Sequence, residues 1–312
     1  MTNTLTTTTI EEKEIKGIFF GKTGGVSEEA KYGGSNGLNA SRSSGDNSEN
    51  IKNNEEIIKN QFSNSQDITL CPVRSGYSDK ISVITKIEND KIHISSRETD
   101  ENKKIMETTE EISINDSDVI NADAVITSMP NALITIQTAD AIPVLLYDSK
   151  KNVIAAASCP YYSLKKDILK KIIGVMIELG CQLENIKANI GPGRRKESYE
   201  VNATFKENWL EIHPDHEECF GEEYKDPVVG IPRYKFDMAS VEKKQLLEAG
   251  IREDNINDCK IDVGSKENFE YYHTYRRMLE NGTIKTGEKF GLNTSAIMIY
   301  EKSNSLDYVK SV

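Results

Sequence analysis

The chain has 312 residues, 37% of them hydrophobic, with 39 Lys and Arg against 50 Asp and Glu and a formal net charge of −11 at pH 7. That length can bury one large core or two moderate ones, and the acidic excess argues against nucleic acid or an anionic membrane as a partner, because tracking phosphates takes a basic surplus. Five scattered cysteines (Cys71, Cys159, Cys181, Cys219 and Cys259) with no C-x-x-C pair read as reduced thiols and not as a disulfide framework.

Residues 1–15 are Thr-rich and then charged, and are expected to be a loose tail. They contain no apolar h-region, and no stretch of the chain reaches the roughly eighteen apolar residues of a membrane span, so a cytoplasmic location is expected. Residues 16–312 read as a single domain, with no linker or repeat dividing them. Gly17–Gly21 is a short strand leading into Lys22-Thr23-Gly24-Gly25-Val26-Ser27. A glycine, serine and asparagine loop over 32–46 precedes a helix over 47–62, where Ile51, Ile57, Ile58 and Phe62 have helical spacing. Ile68–Leu70 is a brief strand, and 80–86 with 91–95 form a hairpin turned at Glu88-Asn89-Asp90. The Glu-, Asp-, Thr- and Lys-dense residues 97–120 are expected to be a solvated insertion between strands.

The strongest signal lies between Asn121 and Ser163. Four runs, Asp123–Thr127, Ala132–Thr138, Ile142–Tyr147 and Asn152–Ser158, are almost continuously apolar and rich in Val and Ile. They predict strands buried on both faces. Leu164, Ile168, Ile172, Val175, Met176 and Leu179 then mark a helix, with Ser163 at its N-cap and Gly180 at its end. Further on, Ile186–Ile190 is a strand entering Gly191-Pro192-Gly193-Arg194-Arg195, and 204–212 is a short helix bearing the single tryptophan, Trp209. An acidic loop over 213–231, a strand over 234–238, a helix over 239–249 and late strands at 256–261 and 295–300 complete the series. The fold class is α/β (α+β), with mixed sheets layered against helices.

Several segments in order resemble one family: Lys22-Thr23-Gly24-Gly25-Val26-Ser27, Leu38-Asn39 with Gly45-Asp46, Asn121-Ala122-Asp123-Ala124, Thr138-Ala139-Asp140 with Pro143-Val144-Leu145-Leu146, Ile190-Gly191-Pro192 with Tyr199-Glu200-Val201, and Tyr275-Arg276-Arg277. Together they are similar to the laccase-domain, or polyphenol-oxidase-like, family also called YfiH. The resemblance implies zinc-dependent purine nucleoside chemistry, namely phosphorolysis of adenosine, inosine and guanosine and deamination of adenosine. Polyphenol oxidation and peptidoglycan editing have also been attached to the family. Its zinc site uses a histidine in Q-x-H-S, a cysteine in A-D-C-x-P and a histidine in H-A-G-W-R. At the matching positions this chain has Tyr77, Ala141 and Ser158. Zinc takes nitrogen, sulfur or carboxylate donors in tetrahedral array. No zinc is therefore expected at the family site and no other cofactor is indicated.

The residues that remain support two readings. In one, the chain binds a purine nucleoside or similar flat polar ligand, or a phosphate, with little or no family catalysis, and a protein partner stays open. In the other it is an enzyme rebuilt without metal around Cys159, Asp140 and Tyr77, acting on a nucleoside or amide-like substrate. Cys159, on the turn into a helix, is either an activated nucleophile or a small packed thiol. Asp140, at a strand end, is a general base or a turn cap. Lys22, Asn39, Ser158, Tyr161, Arg194, Arg195 and Arg276 are the candidate ligand contacts: Arg194 and Arg195 are bidentate clamps for phosphate or carboxylate or surface charge balancing Glu197 and Glu200, and Arg276, near Tyr271, Tyr272 and Tyr275, is a purine-stacking or cation–π partner or part of an Arg–Tyr packing cluster. His213, His216 and Cys219 have a spacing that suits either a relocated metal site or incidental loop residues.

Overall fold

In a computed structural model the chain is described over residues 7–62, 67–100, 102, 104–114, 118–226 and 230–301. Two large sheets lie face to face, each covered on its outer side by helices. One has six strands in the order Thr7–Glu12, Ile15–Phe20, Asn293–Ile299, Ala132–Thr138, Thr69–Arg74, Ile120–Asn121. The other has eight: Ile256–Asp258, Ile186–Ile190, Ile142–Asp148, Val153–Cys159, Ala124–Thr127, Ile81–Glu88, Lys91–Thr99, Ile105–Ser113. A small third sheet joins Glu200–Asn202, Pro232–Lys235 and Tyr224–Lys225.

The period-two alternation of strand side chains builds this layering. Ile142, Val144 and Leu146 turn outward to pack with Leu169, Ile172 and Met176 of the helix Ile168–Glu178 and with Val241 and Leu246 of Met238–Glu248. From the same strand, Leu145 and Tyr147 face inward and meet Ile134, Ile136 and Ile297 of the six-stranded sheet. On that sheet's far side, Ile18, Phe20, Leu133 and Met298 pack with Ile58 of the helix Ser48–Asn60. The near-continuous apolar runs are thus strands that serve two cores at once, as expected for doubly covered sheets.

Strand and helix predictions hold for most of the chain, and the departures have physical causes. The insertion expected over 97–120 contains a strand, Ile105–Ser113, which runs antiparallel to Lys91–Thr99 at the sheet edge. Its side chains are largely exposed, so the sequence has no apolar alternation to show. Cross-strand charge pairs support it, Lys91 to Glu111 at 2.8 Å and Arg97 to Glu107 at 2.9 Å. Residues 101, 103 and 115–117 of that segment lie outside the described residues. The expected loose tail likewise contains the strand Thr7–Glu12, paired with Ile15–Phe20, while residues 1–6 fall outside the described residues.

The helix predicted from Ser163 is two helices, Tyr161–Leu164 and Ile168–Glu178, broken at Asp167 with φ of 56°. Ser163 is buried inside the first of them and caps neither. Gly180 does end the second, with φ of 90°. Its N–H bonds to the Ile177 carbonyl at 2.8 Å and that of Cys181 bonds to Met176 at 3.0 Å, a Schellman closure. The acidic loop over 213–231 holds a helical turn, Pro214–Cys219, and the strand Tyr224–Lys225, with residues 227–229 outside the described set.

Gly191 and Gly193 let the loop after Ile186–Ile190 press against the sheet. A Cβ on Gly193 would stand 2.4 Å from Ile142 Cγ1 and 2.8 Å from its Cα, and backbone cannot yield as a side-chain tip does. Gly193→Ala is expected to destabilise the protein by about 1–3 kcal/mol in urea unfolding. A loss within experimental error would show that the loop does not depend on this close approach.

Candidate functional site

The ends of the central strands gather the positions that matter. Asp123, fully buried, is a latch: its carboxylate accepts from Ser75 Oγ at 2.5 Å, from the Tyr77 and Ser78 amides at 3.1 and 2.8 Å, and from Ser78 Oγ at 2.7 Å. Its carbonyl accepts from the Ser158 amide at 2.9 Å. Ser158 pairs with Pro143, two residues beyond Ala141. The loop carrying Tyr77, the strand end carrying Ser158 and the strand start beside Ala141 are therefore held at one place. Sequence reasoning noted Asp123 only as part of a motif; its four accepted bonds show what it does.

Beside this place, Asp140 sits in a left-handed turn with φ of 74°. Its Oδ1 accepts from Thr274 Oγ1 at 2.5 Å and its Oδ2 from the Arg276 amide at 3.1 Å, while its carbonyl accepts from the Arg194 amide at 2.8 Å. Burial raises the Asp140 carboxyl, opposed by the nearby Arg194 guanidinium and by the two bonds it accepts. The Arg194 and Arg276 guanidiniums lie 5.9 and 5.8 Å from the centre of the Tyr199 ring. Arg194 is 4% exposed and donates to the Ser198 carbonyl, yet its Nη1 has no hydrogen-bond partner among the described residues. Arg276 donates to the Glu200 carbonyl at 3.3 and 3.4 Å. Burial pushes the Tyr199 phenol up to about 12, with Tyr162 adding to the shift. Tyr162, 52% exposed, lies against Tyr161 with ring centres 3.9 Å apart. Asp140, Arg194, Arg276, Tyr199 and Tyr162 thus form one polar, aromatic cluster at the strand ends. Tyr199 and Thr274 were missed as individual contacts, although both stand in or beside segments that the sequence singled out.

Other expected site residues lie in different surroundings. Cys159 is fully buried among core side chains at a strand end, and burial raises its thiol well above the ordinary range, which opposes its assignment as a nucleophile. Tyr77 stands 66% exposed, so its phenol is not enclosed with any reacting group. Lys22 is committed to the Phe269 segment: Nζ donates to the Phe269 carbonyl at 2.6 Å and lies 4.5 Å from the ring centre. Asn39 is buried in its own loop, donating to Ser44 Oγ at 2.9 Å and Asp46 Oδ2 at 3.0 Å. Arg195 is a structural ion-pair partner, with Asp258 at 2.9 Å and the Gly191 carbonyl at 2.7 Å. Tyr161 packs on Phe205, with ring centres 5.1 Å apart.

His213, His216 and Cys219 are not a solvated loop, and their ligand atoms are not among those that converge as a possible metal group in the described residues, His216 apart. All three are buried. Trp209 Nε1 donates to His216 Nδ1 at 3.3 Å, His213 Nε2 bonds to the Lys165 carbonyl at 3.0 Å, and the two imidazoles stack 4.7 Å apart. Asp215, His216 and Glu248 do bring potential ligand atoms within 4.8 Å of one another. Lys244 already holds Asp215 at 3.2 Å and Lys170 holds Glu248 at 2.6 Å. An Nδ1 that accepts from indole also puts the proton of neutral His216 on Nε2, which leaves that nitrogen no lone pair for a metal.

His273, just before Thr274, is 1% exposed, and burial holds its imidazole down at about 3. Between about pH 3 and the ordinary value near 6.5, the unfolded chain takes a proton that the folded chain refuses, so stability falls as pH drops through that window. Replacing His273 by Gln is expected to flatten this dependence by about one proton per chain in urea unfolding at successive pH values. Equal slopes in the two proteins would contradict a neutral buried imidazole.

Residues 16–298 match the family described as multi-copper polyphenol oxidoreductase laccase. A purine nucleoside phosphorylase of Rickettsia prowazekii is 30% identical over 132 residues, 42% of this chain and 52% of that protein. An adenosine deaminase from an unknown prokaryotic organism is 22% identical over 165 residues, 53% of this chain and 61% of that protein. The chain thus spans about half to three-fifths of the length of these two relatives. The crystal structure of the hypothetical protein YfiH of Bacillus licheniformis superposes with a TM-score of 0.72 at 18% identity, covering 94% of this chain and 96% of that one. With a profile match that spans nearly all the described residues and a shared layered fold, the chain belongs to the laccase-domain, YfiH-like family.

Proposed function

We propose that this protein binds a purine nucleoside, or a similarly flat and polar ligand, at the strand-end cluster and does not carry out zinc-dependent turnover. The observation that carries this reading is the side-chain chemistry at the three gathered positions. Ala141 offers no donor, Tyr77 points a phenol into solvent and Ser158 offers a neutral hydroxyl on a buried strand end. These groups do not fit a zinc ion, which is held by imidazole, thiolate or carboxylate in such sites.

The neighbouring groups suit a planar ligand. Tyr162 presents an exposed ring for stacking, and the Arg276 guanidinium supplies donors to ring or ribose oxygens. Asp140 supplies an acceptor whose orientation Thr274 and the Arg276 amide fix. The names of the relatives, purine nucleoside phosphorylase and adenosine deaminase, support a nucleoside as the ligand class. The rebuilt-enzyme reading loses its nucleophile, because Cys159 has neither access to solvent nor a lowered pKa.

Calorimetric titration with adenosine and inosine is expected to show saturable binding that Tyr162→Ala and Arg276→Ala each weaken by about 1–2 kcal/mol, the scale of a lost stacking or charged hydrogen-bond contact. Absence of binding, or variants that bind as the native protein does, would remove the ligand from this cluster. The triple variant Tyr77→His, Ala141→Cys, Ser158→His is expected to take up zinc that the native chain does not. Failure of a folded triple variant to do so would mean that the three positions do not converge on one point.

A further inference from the structure

The strand Ile105–Ser113 ends the eight-stranded sheet. At 9 residues it is the longest of the four strands that border the two large sheets, against 6, 2 and 3 for Thr7–Glu12, Ile120–Asn121 and Ile256–Asp258. Its pairing with Lys91–Thr99 runs without a register shift. At the two ends of that ladder the Asp100 amide donates to the Lys104 carbonyl at 2.9 Å and the Ile114 amide to the Asp90 carbonyl at 2.8 Å. In an antiparallel ladder both backbone groups of a residue point to the same side, and the side alternates along the strand. The even-numbered residues therefore bond to Lys91–Thr99, and the N–H and C=O groups of Ile105, Glu107, Thr109, Glu111 and Ser113 point out of the sheet. Every residue of the strand except Ile112 is exposed, so none of the described residues covers this edge.

Sheet edges are commonly closed to other chains by a short strand, a bulge, a proline or an unbalanced charge. This strand contains no proline, lysine or bulge. Its glutamates are balanced from within the sheet, Glu107 by Arg97 at 2.9 Å, Glu110 by Lys80 at 3.0 Å and Glu111 by Lys91 at 2.8 Å. Ile105 and Met106 stand 64% and 49% exposed. An edge open in this way is a template for a further strand, and its sequence limits how its own copy can fit. Between two copies related by a two-fold axis, the outward groups meet only where odd-numbered residues lie opposite odd-numbered ones. Of the registers that pair more than half of the strand, all but one set a glutamate directly opposite a glutamate, which destabilises a sheet. The exception centres on Thr108: Glu107 faces Thr109 of the second copy, Glu110 faces its Met106 and Glu111 its Ile105. Lys104 then lies diagonally across from Glu110 of the second copy. We propose that Ile105–Ser113 pairs antiparallel with the same strand of a second copy, centred on Thr108, and joins the two eight-stranded sheets into one.

Sedimentation at increasing protein concentration is expected to show monomer converting to dimer and nothing larger, because each copy presents one such edge. Thr109→Pro removes an outward N–H and spares the ladder to Lys91–Thr99, as a proline on an edge strand can. It is expected to hold the protein at monomer mass with its far-ultraviolet circular dichroism unchanged. Cross-linking reads the register independently, in a Cys259→Ser background because Cys259 is the one half-exposed cysteine and the other four are buried. Thr108→Cys brings two thiols to a non-hydrogen-bonded pair with Cα atoms about 4.5 Å apart, within disulfide range, and oxidised glutathione is expected to convert most of it to a dimer that dithiothreitol reverses. Glu110→Cys sets its thiols about 13 Å out of step and is expected to yield no cross-linked product above the parent protein. Monomer at every concentration, assemblies larger than two, a dimer that survives Thr109→Pro in a folded variant, or cross-linking through Glu110→Cys as readily as through Thr108→Cys would overturn the proposal.

Discussion

Burial of the central strands on both faces is the constraint on which the rest depends. Ile142–Asp148 and Val153–Cys159 serve two cores, one between the sheets and one beneath the helices. A register shift by one residue would exchange those cores, so the pairing of Val144 with Ala157 and of Leu146 with Ala155 is fixed by packing. Functional groups are thereby excluded from the strand interiors and confined to strand ends. Asp140 precedes one strand, Ser158 lies near the end of the next, and Arg194 follows a third.

The same packing explains why Cys159 is buried. It occupies a strand position opposite Ile142, and Pro160 starts the helical turn only after it. A cysteine exposed on that turn would sit among free amides; this one sits among Ile and Leu side chains. Consecutive arginines show a related division. Arg194 turns to Asp140 and Tyr199, whereas Arg195 turns to Asp258 and the Gly191 carbonyl. One loop thus contributes to the strand-end cluster with its first arginine and braces the sheet edge with its second.

Much of this was legible in the sequence because it rests on local patterns. The apolar runs between Asp123 and Ser158 fixed the central strands, and Gly180 marked the end of its helix. Asp140 and Arg194 are legible from strand-end position and residue type, Arg276 from its aromatic neighbours and the segment Tyr275-Arg276-Arg277, and the structure brings those three together. What stayed hidden depends on contacts distant in sequence. Thr274 reaches Asp140 across 134 positions, and Lys22 is taken up by Phe269 across 247. The edge strand Ile105–Ser113 was hidden for another reason: its stability comes from backbone pairing and cross-strand charges, which mimic the composition of a solvated loop. Burial of His213 and His216 likewise follows from Trp209, itself backed by Phe236, packing against both imidazoles, not from any feature of the acidic segment itself.

The most direct test of the central claim combines metal content with turnover in the native protein. The chain is purified in the presence of zinc, its metal is measured by plasma spectrometry, and adenosine and inosine are followed in phosphate buffer. A chain whose strand ends hold Tyr77, Ala141 and Ser158 is expected to retain no stoichiometric zinc and to produce neither free base nor deaminated nucleoside. One zinc per chain together with turnover would contradict the reading of those three positions.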